Sequence, residues 1–285
     1  DEMMLHLTGE LGIFHTQIAF VGNATGKKEI YLADFDGSNI RQMTRDHDMN
    51  LAPAWAPDGK KISYVGYQRG NPDLYTMDLI TKVGEPISMR PGLNIAPTYY
   101  PKGGKLAATL SFTGNPELYL LDAKGEILKQ LTINWSIDVS PSWAPDGQKL
   151  AYVSNRAGKP QIYVLDLATK RSTRLTFEGD YNTSPAWSPR GDRILYAGLH
   201  DGRFDIFMIN PDGTELRQLT GGEGNNENPC WSPDGRLILF QSDRRGSPTL
   251  WVMQANGMDQ RRLRLNLGGS QTEPDWSPRL TRATP

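Results

Sequence analysis

Carboxylates recur in this chain at a fixed interval: Asp34, Asp78, Asp122 and Asp166 stand 44 residues apart. Paired across a cleft, such groups could divide general-acid and general-base work. One per repeat is better suited to a turn residue, whose short carboxylate bonds backbone two residues on. The four histidines, His6, His15, His47 and His200, show none of the spacings that hold a metal. Cys230 follows Pro229 directly and is expected to be a small buried filler rather than a nucleophile. No Gly-x-Ser-x-Gly nucleophile elbow is present. The expectation is a chain with no catalytic residue, no cofactor and no metal.

A second polar set recurs with the same regularity. Asn50, Asn94, Asp138, Asn182, Asn226 and Gln271 each stand three residues before a proline. Three kinds of chemistry are open to them. They can bond nearby backbone and cap the loops that precede them, as Asn does in turns. They can form a ring of donors and acceptors that receives a segment of a partner. A cation held on oxygen ligands is the weakest reading, because Asp138 is the ring's sole anion.

The elements that position these residues follow from the same period. Segments of the form Pro-x-aromatic-x-Pro begin at Pro53, Pro97, Pro141, Pro185, Pro229 and Pro274, in steps of 44 residues with a last step of 45. Four-stranded propeller blades have this length. Tyr31, Tyr75, Tyr119, Tyr163, Phe207 and Trp251 mark a second phase with the same 44-residue step. Between the phases lie alternating runs such as Ile62-Ser-Tyr64-Val, and most repeats end on runs such as Lys129-Gln-Leu-Thr132. Four short runs of period two, separated by turn residues, predict four strands per repeat. The turns between strands carry Ala56-Pro57-Asp58-Gly59 or Asp-Gly pairs such as Asp36-Gly37 and Asp212-Gly213. The fold class is therefore all-β, a six-bladed propeller of four-stranded antiparallel blades. Its first repeat lacks an inner strand and its last Pro-x-Trp strand has no successors. The C-terminal strand is expected to complete the N-terminal blade and close the ring over residues 18–280. Residues 1–17 are expected to be a residual inter-domain linker without a signal peptide, and residues 281–285 a tail.

Composition narrows the partners. Lys plus Arg number 31 against 32 Asp plus Glu, a net charge of −1, so no basic field supports nucleic-acid binding. No apolar run approaches the roughly 18 residues needed to span a bilayer. The 29 glycines and 20 prolines exceed average usage, and most fall at the repeating turns.

Antiparallel succession puts the 1–2 and 3–4 turns on one face, and the 2–3 loops with the blade-to-blade crossings on the other. The second face has the longer, more varied loops, including Asn155 to Gly158 and His200 to Arg203. Such loops on a rigid scaffold are where binding concentrates. Trp135 falls in one crossing, six residues before Pro141, where other repeats have His47, Pro91, Gly179, Glu223 and Gly268. It can cover a blade edge or anchor an interface.

The Pro-x-Trp-Ser-Pro-Asp-Gly blades resemble the propeller of the TolB family, periplasmic components of the bacterial Tol–Pal system. The lead from Leu7 to Val21 is similar to the segment joining that family's small N-terminal domain to its first blade, and Trp276 to Leu280 to its last strand. The second repeat departs, with Tyr99-Tyr100 and Lys102 in place of Trp and Asp and with Pro86 interrupting its fourth strand, an edge position where Pro is tolerated. The resemblance implies a non-catalytic, monomeric docking scaffold that binds the Pal lipoprotein at the channel mouth and supports outer-membrane integrity and cell division. It implies contacts at Leu93, Asn94, Ala96, Asp138, Val139 and Ser140; the out-of-register Trp135 and the mouth residues Asn182, Asn226 and Glu227 extend the expected partner surface. It also implies that the N-terminal region engaging TolA is missing here. The repeat is shared with propellers of prolyl-oligopeptidase-type and tricorn peptidases. The alternative is thus a propeller that gates or positions substrate for a separate hydrolase.

Overall fold

The computed structural model describes residues 12–280; the first eleven residues of the expected linker and the whole tail lie outside them. Six four-stranded sheets form, each an antiparallel blade. Their inner strands are Asn50–Trp55, Asn94–Tyr99, Asp138–Trp143, Asn182–Trp187, Asn226–Trp231 and Gln271–Trp276. The last of these pairs with Gln17–Gly22 and completes the sheet that begins the chain, here blade 1. The strands that follow in sequence make blades 2 to 6, and the closing seam is a paired sheet rather than a loop.

Every blade is sandwiched between two others, so alternation serves two interfaces instead of a core and a surface. In blade 4, Leu150 and Tyr152 pack with Trp143 and Tyr163 in one cluster, while Ala151 and Val153 pack with Val164 and Trp187 in the next. The second strand is consequently buried along nearly its whole length. Aromatic pairs tie second to third strands at the same register in five blades, as in Tyr64↔Tyr75 and Tyr196↔Phe207, while in blade 3 Tyr119 faces Ala108.

The repeating aspartates sit in turns. Asp78 Oδ1 accepts the Ile80 and Thr81 N–H groups at 2.9 and 3.0 Å, and Asp166 does the same for Ala168 and Thr169. Their carboxyls are held below the ordinary range by those bonds, chiefly from Thr81 and Thr169 respectively.

Two local expectations are corrected. Residues His200 to Arg203 are not a longer loop: Ile194–His200 and Arg203–Ile209 pair to the end, leaving the two-residue turn Asp201-Gly202. Both turn residues have positive φ, 48° and 77°, the twist a tight hairpin needs. Pro86 does not interrupt its strand either. It lies within Gly84–Ser88 on the blade's outer edge, where a missing N–H leaves no ladder bond unmade.

Each inner strand carries one bulge. Its third residue has a left-handed backbone in all six blades: Ala52, Ala96, Ser140, Ser184, Asn228 and Glu273, with φ between 48° and 54°. The pairing register shifts at the same place, from Leu51↔Val65 to Ala54↔Ser63 in blade 2. Two residues there oppose one, and the next residue is the repeat proline, which needs no partner.

Candidate functional site

Asn50, Asn94, Asp138, Asn182, Asn226 and Gln271 open the six inner strands, and none is more than 2% exposed. Their side chains turn into the blades. Asn50, Asn182 and Asn226 donate to Glu29, Gln161 and Asp205, the first or near-first residues of neighbouring third strands. Those acceptors also take hydroxyl bonds from Thr44, Thr176 and Thr220 near the fourth strands. Asn94 donates to the Pro72, Arg90 and Gly92 carbonyls, and Gln271 to those of Leu267 and Gly269. Asp138 accepts from Asn134 at 2.7 Å and from Arg156 at 2.8 Å. The set thus forms six polar nodes, each fastening one crossing to the blades it joins. The acceptors were missed as site residues, yet their signal was available: Glu29, Asp73, Glu117, Gln161, Asp205 and Thr249 also step by 44.

The mouth itself is built by the next two positions of each strand. Val139, Ser140, Ala96 and Glu227 are half-buried there, and Leu93 is half-buried in the crossing before them. A belt of bonds crosses four blades at this level. Ser184 Oγ donates to Asn228, whose Nδ2 donates to Gln241 Oε1 at 3.2 Å. That same oxygen accepts the Glu273 N–H at 3.0 Å, and the Glu273 carboxylate accepts the Ala52 N–H at 2.7 Å.

Deeper in the channel, Asp275 Oδ2 accepts the Trp55 N–H at 2.7 Å. Burial pushes the Asp275 carboxyl up to about 7, and raises Glu227 and Glu273 as well. Cys230 is half-buried in the same wall rather than sealed in a core, and burial raises its thiol well above the usual value. Among the described residues no group of three or more His, Cys, Asp and Glu side chains could hold a metal. The four described histidine and cysteine residues, His15, His47, His200 and Cys230, lie on separate segments of the chain.

One sector of the loop face is apolar. Trp135 is fully exposed between exposed Ile133 and Ile137, and the next crossing adds exposed Phe177 and Tyr181. The Trp135 loop is held from beneath on both sides. Asn115 Nδ2 donates to the Asn134 and Ser136 carbonyls at 3.0 and 2.6 Å, and Asn134 N–H donates to Glu117 at 2.7 Å. Ile137 N–H donates to Asn155 Oδ1 at 2.8 Å. The indole is therefore displayed by a bonded frame, with no blade edge beneath it to cover. The aliphatic and aromatic neighbours were not foreseen, although the 44-residue step relates them: Ile133 to Phe177 and Ile137 to Tyr181.

The class these features define is a closed six-bladed β-propeller of four-stranded blades with a polar, bulge-lined channel mouth. The TolB beta propeller domain family matches residues 4–280, and the chain belongs to that family. It is 49% identical over 59 residues to the Tol-Pal system protein TolB of Desulfosudis oleivorans, covering 21% of this chain and 14% of that protein. It is 52% identical over 56 residues to the TolB homolog of Chlorobaculum tepidum, covering 20% and 13%. The crystal structure of TolB from Acinetobacter baumannii superposes with a TM-score of 0.87 at 31% identity, covering 98% of this chain and 70% of that one. The aligned stretches thus span about a seventh of the two curated relatives. Among the described residues no helix is long and apolar enough to cross a membrane.

Proposed function

We propose that this propeller is a non-catalytic docking scaffold of the Tol–Pal cell-envelope system. It works in the periplasm as a monomer and binds the Pal lipoprotein on the loop face, at and beside the channel mouth. Through that contact it supports outer-membrane integrity and cell division, while TolA is engaged through sequence outside the propeller. Family membership supports the system. The observation that carries the location is Trp135, fully exposed on a frame of hydrogen bonds beside Ile133 and Ile137. An exposed aromatic on a backbone already held in place saves the loop-ordering part of the cost of binding, which suits an interface anchor. Leu93, Ala96, Val139 and Ser140 offer the adjoining small and apolar surface; Asn94, Asp138, Asn182 and Asn226 act by holding the crossings in place. In calorimetric titration against Pal, Trp135→Ala is expected to weaken binding at least tenfold with an unchanged melting temperature. Wild-type affinity in that variant would remove Trp135 from the interface, and no heat with the wild-type chain would remove Pal.

A further inference from the structure

Adjacent blades meet at their 1–2 turns on the face opposite the loops, and a side chain plugs the gap at most of these meetings. A Cβ built on Gly59 would collide with Leu280 of blade 1, and one on Gly147 with the Tyr100 ring of blade 3. At Gly191 it would stand 3.3 Å from Pro145, and at Gly235 3.1 Å from Arg190. Between blades 2 and 3 there is no plug: a Cβ on Gly103 or Gly104 would meet nothing within 4 Å. Blade 2 offers Ala56 where blade 3 offers Tyr100, and Asp58 where blade 5 offers Arg190; its turn has the same residues as that of blade 4, yet Pro57 stays clear of Gly103 where Pro145 closes on Gly191. Blade 3 also has Tyr99 at the position other repeats fill with Trp. Its hydroxyl is drawn toward blade 2, 2.6 Å from Ser63 Oγ and 3.3 Å from Thr76 Oγ1.

The result is a cavity of about 640 Å³, within the range of about 300–1,000 Å³ that small-molecule sites occupy. Ile87 and Leu106 supply its apolar floor with Tyr99, and Pro57 and Pro101 line it from the two turns. Its charged lining is Asp58, Lys61 and Lys102. Asp58 Oδ1 is occupied by the Lys60 N–H of its own turn at 2.9 Å. Lys61 lies opposite Asp78 across the strand pair, which leaves the exposed Lys102 ammonium for an incoming anion. Flat, mainly apolar walls with a cation at the rim suit a ring that carries one negative group. The molecule fills its own neighbouring cleft with a neutral aromatic ring: Tyr100 lies edge-on to Trp143, centroids 5.2 Å apart.

We propose that the open cleft between blades 2 and 3 is a binding site for a small planar aromatic anion. The site is on the face opposite the proposed Pal surface, so it stands or falls independently of that reading. The test is calorimetric titration with 2-naphthoate, supported by ligand-observed NMR. The wild-type chain is expected to bind one equivalent saturably. Lys102→Glu should weaken binding at least tenfold, and naphthalene-2-methanol, which lacks the charge, should bind at least tenfold more weakly. Ala56→Tyr, which copies the plug of the next blade, should abolish binding. Asp58→Tyr, at an exposed position, should block the cleft from the rim if Ala56→Tyr folds poorly. Absence of saturable binding to the wild-type chain overturns the proposal. So does undiminished affinity in a plugged variant whose circular dichroism and melting temperature match wild type.

Discussion

Asp275 carries the strongest electrostatic demand among the channel carboxylates, because its wall removes water from a group that bonds one backbone N–H of the next blade. Its carboxyl titrates near 7 in the fold, above the roughly 3.9 of an unfolded chain. A raised carboxyl binds more protons folded than unfolded, so its contribution is fully present below about pH 4 and is lost as pH rises through 7. Asp275→Asn keeps an acceptor for Trp55 and removes the titration. Its melting temperature relative to wild type is expected to climb between pH 5 and pH 8. A pH-independent difference would show that the channel wall leaves this carboxylate hydrated. Sequence pattern exposed the position but not its setting: Ala54, Thr98, Ser142, Ala186 and Cys230 occupy the same place in other blades. Only the closed ring shows that they line one channel wall, which is also why Cys230 is half-buried rather than sealed.

At the scale of the elements, strands and turns were legible because every blade repeats the same chemistry at the same step. The orientation of the polar set was not. Position before a proline gives the register, but the bulge that follows reorients the chain, so residues foreseen at the mouth fasten crossings from inside. The bulge itself leaves no residue signature, since Ala, Ser, Asn and Glu all occupy its left-handed position. That conformation costs an ordinary residue on the order of 1 kcal/mol and a β-branched one more. Ala96→Val is therefore expected to lower stability by about 1–2 kcal/mol in urea unfolding, while Ala96→Gly is neutral or stabilising. The nodes make a second prediction. Thr176 Oγ1 donates to Gln161 Oε1 and accepts the Ile162 N–H at 2.9 Å, in a fully buried setting. Thr176→Val keeps the shape, strands the Ile162 N–H and leaves Gln161 Oε1 with the Asn182 bond alone, costing about 1–3 kcal/mol. An unchanged unfolding midpoint would mean that water replaces the hydroxyl there.

Taken as one object, the ring depends on a strand contributed from the far end of the chain. Deleting residues 274–285 strips blade 1 of half its inner strand, removing Trp276 from the cluster it forms with Ile18, Phe20 and Tyr31. Cooperative thermal unfolding is expected to disappear in that truncation. A sharp transition at the wild-type temperature would show that five intact blades hold the sixth. The geometry of this closure also decides how the propeller answers a mechanical load. Ile18 pairs with Trp276, and the seam continues outward through Ser277 N–H to Gln17 O at 2.8 Å and Leu280 N–H to His15 O at 2.9 Å. Both chain ends therefore leave from the same end of an antiparallel pair. Tension applied between them falls on one hydrogen bond at a time and peels the seam open. Tension across the rest of the ring shears several paired strands together. In a single-molecule pulling experiment, the same protein should yield at low force when held by its termini and resist when held by two blades.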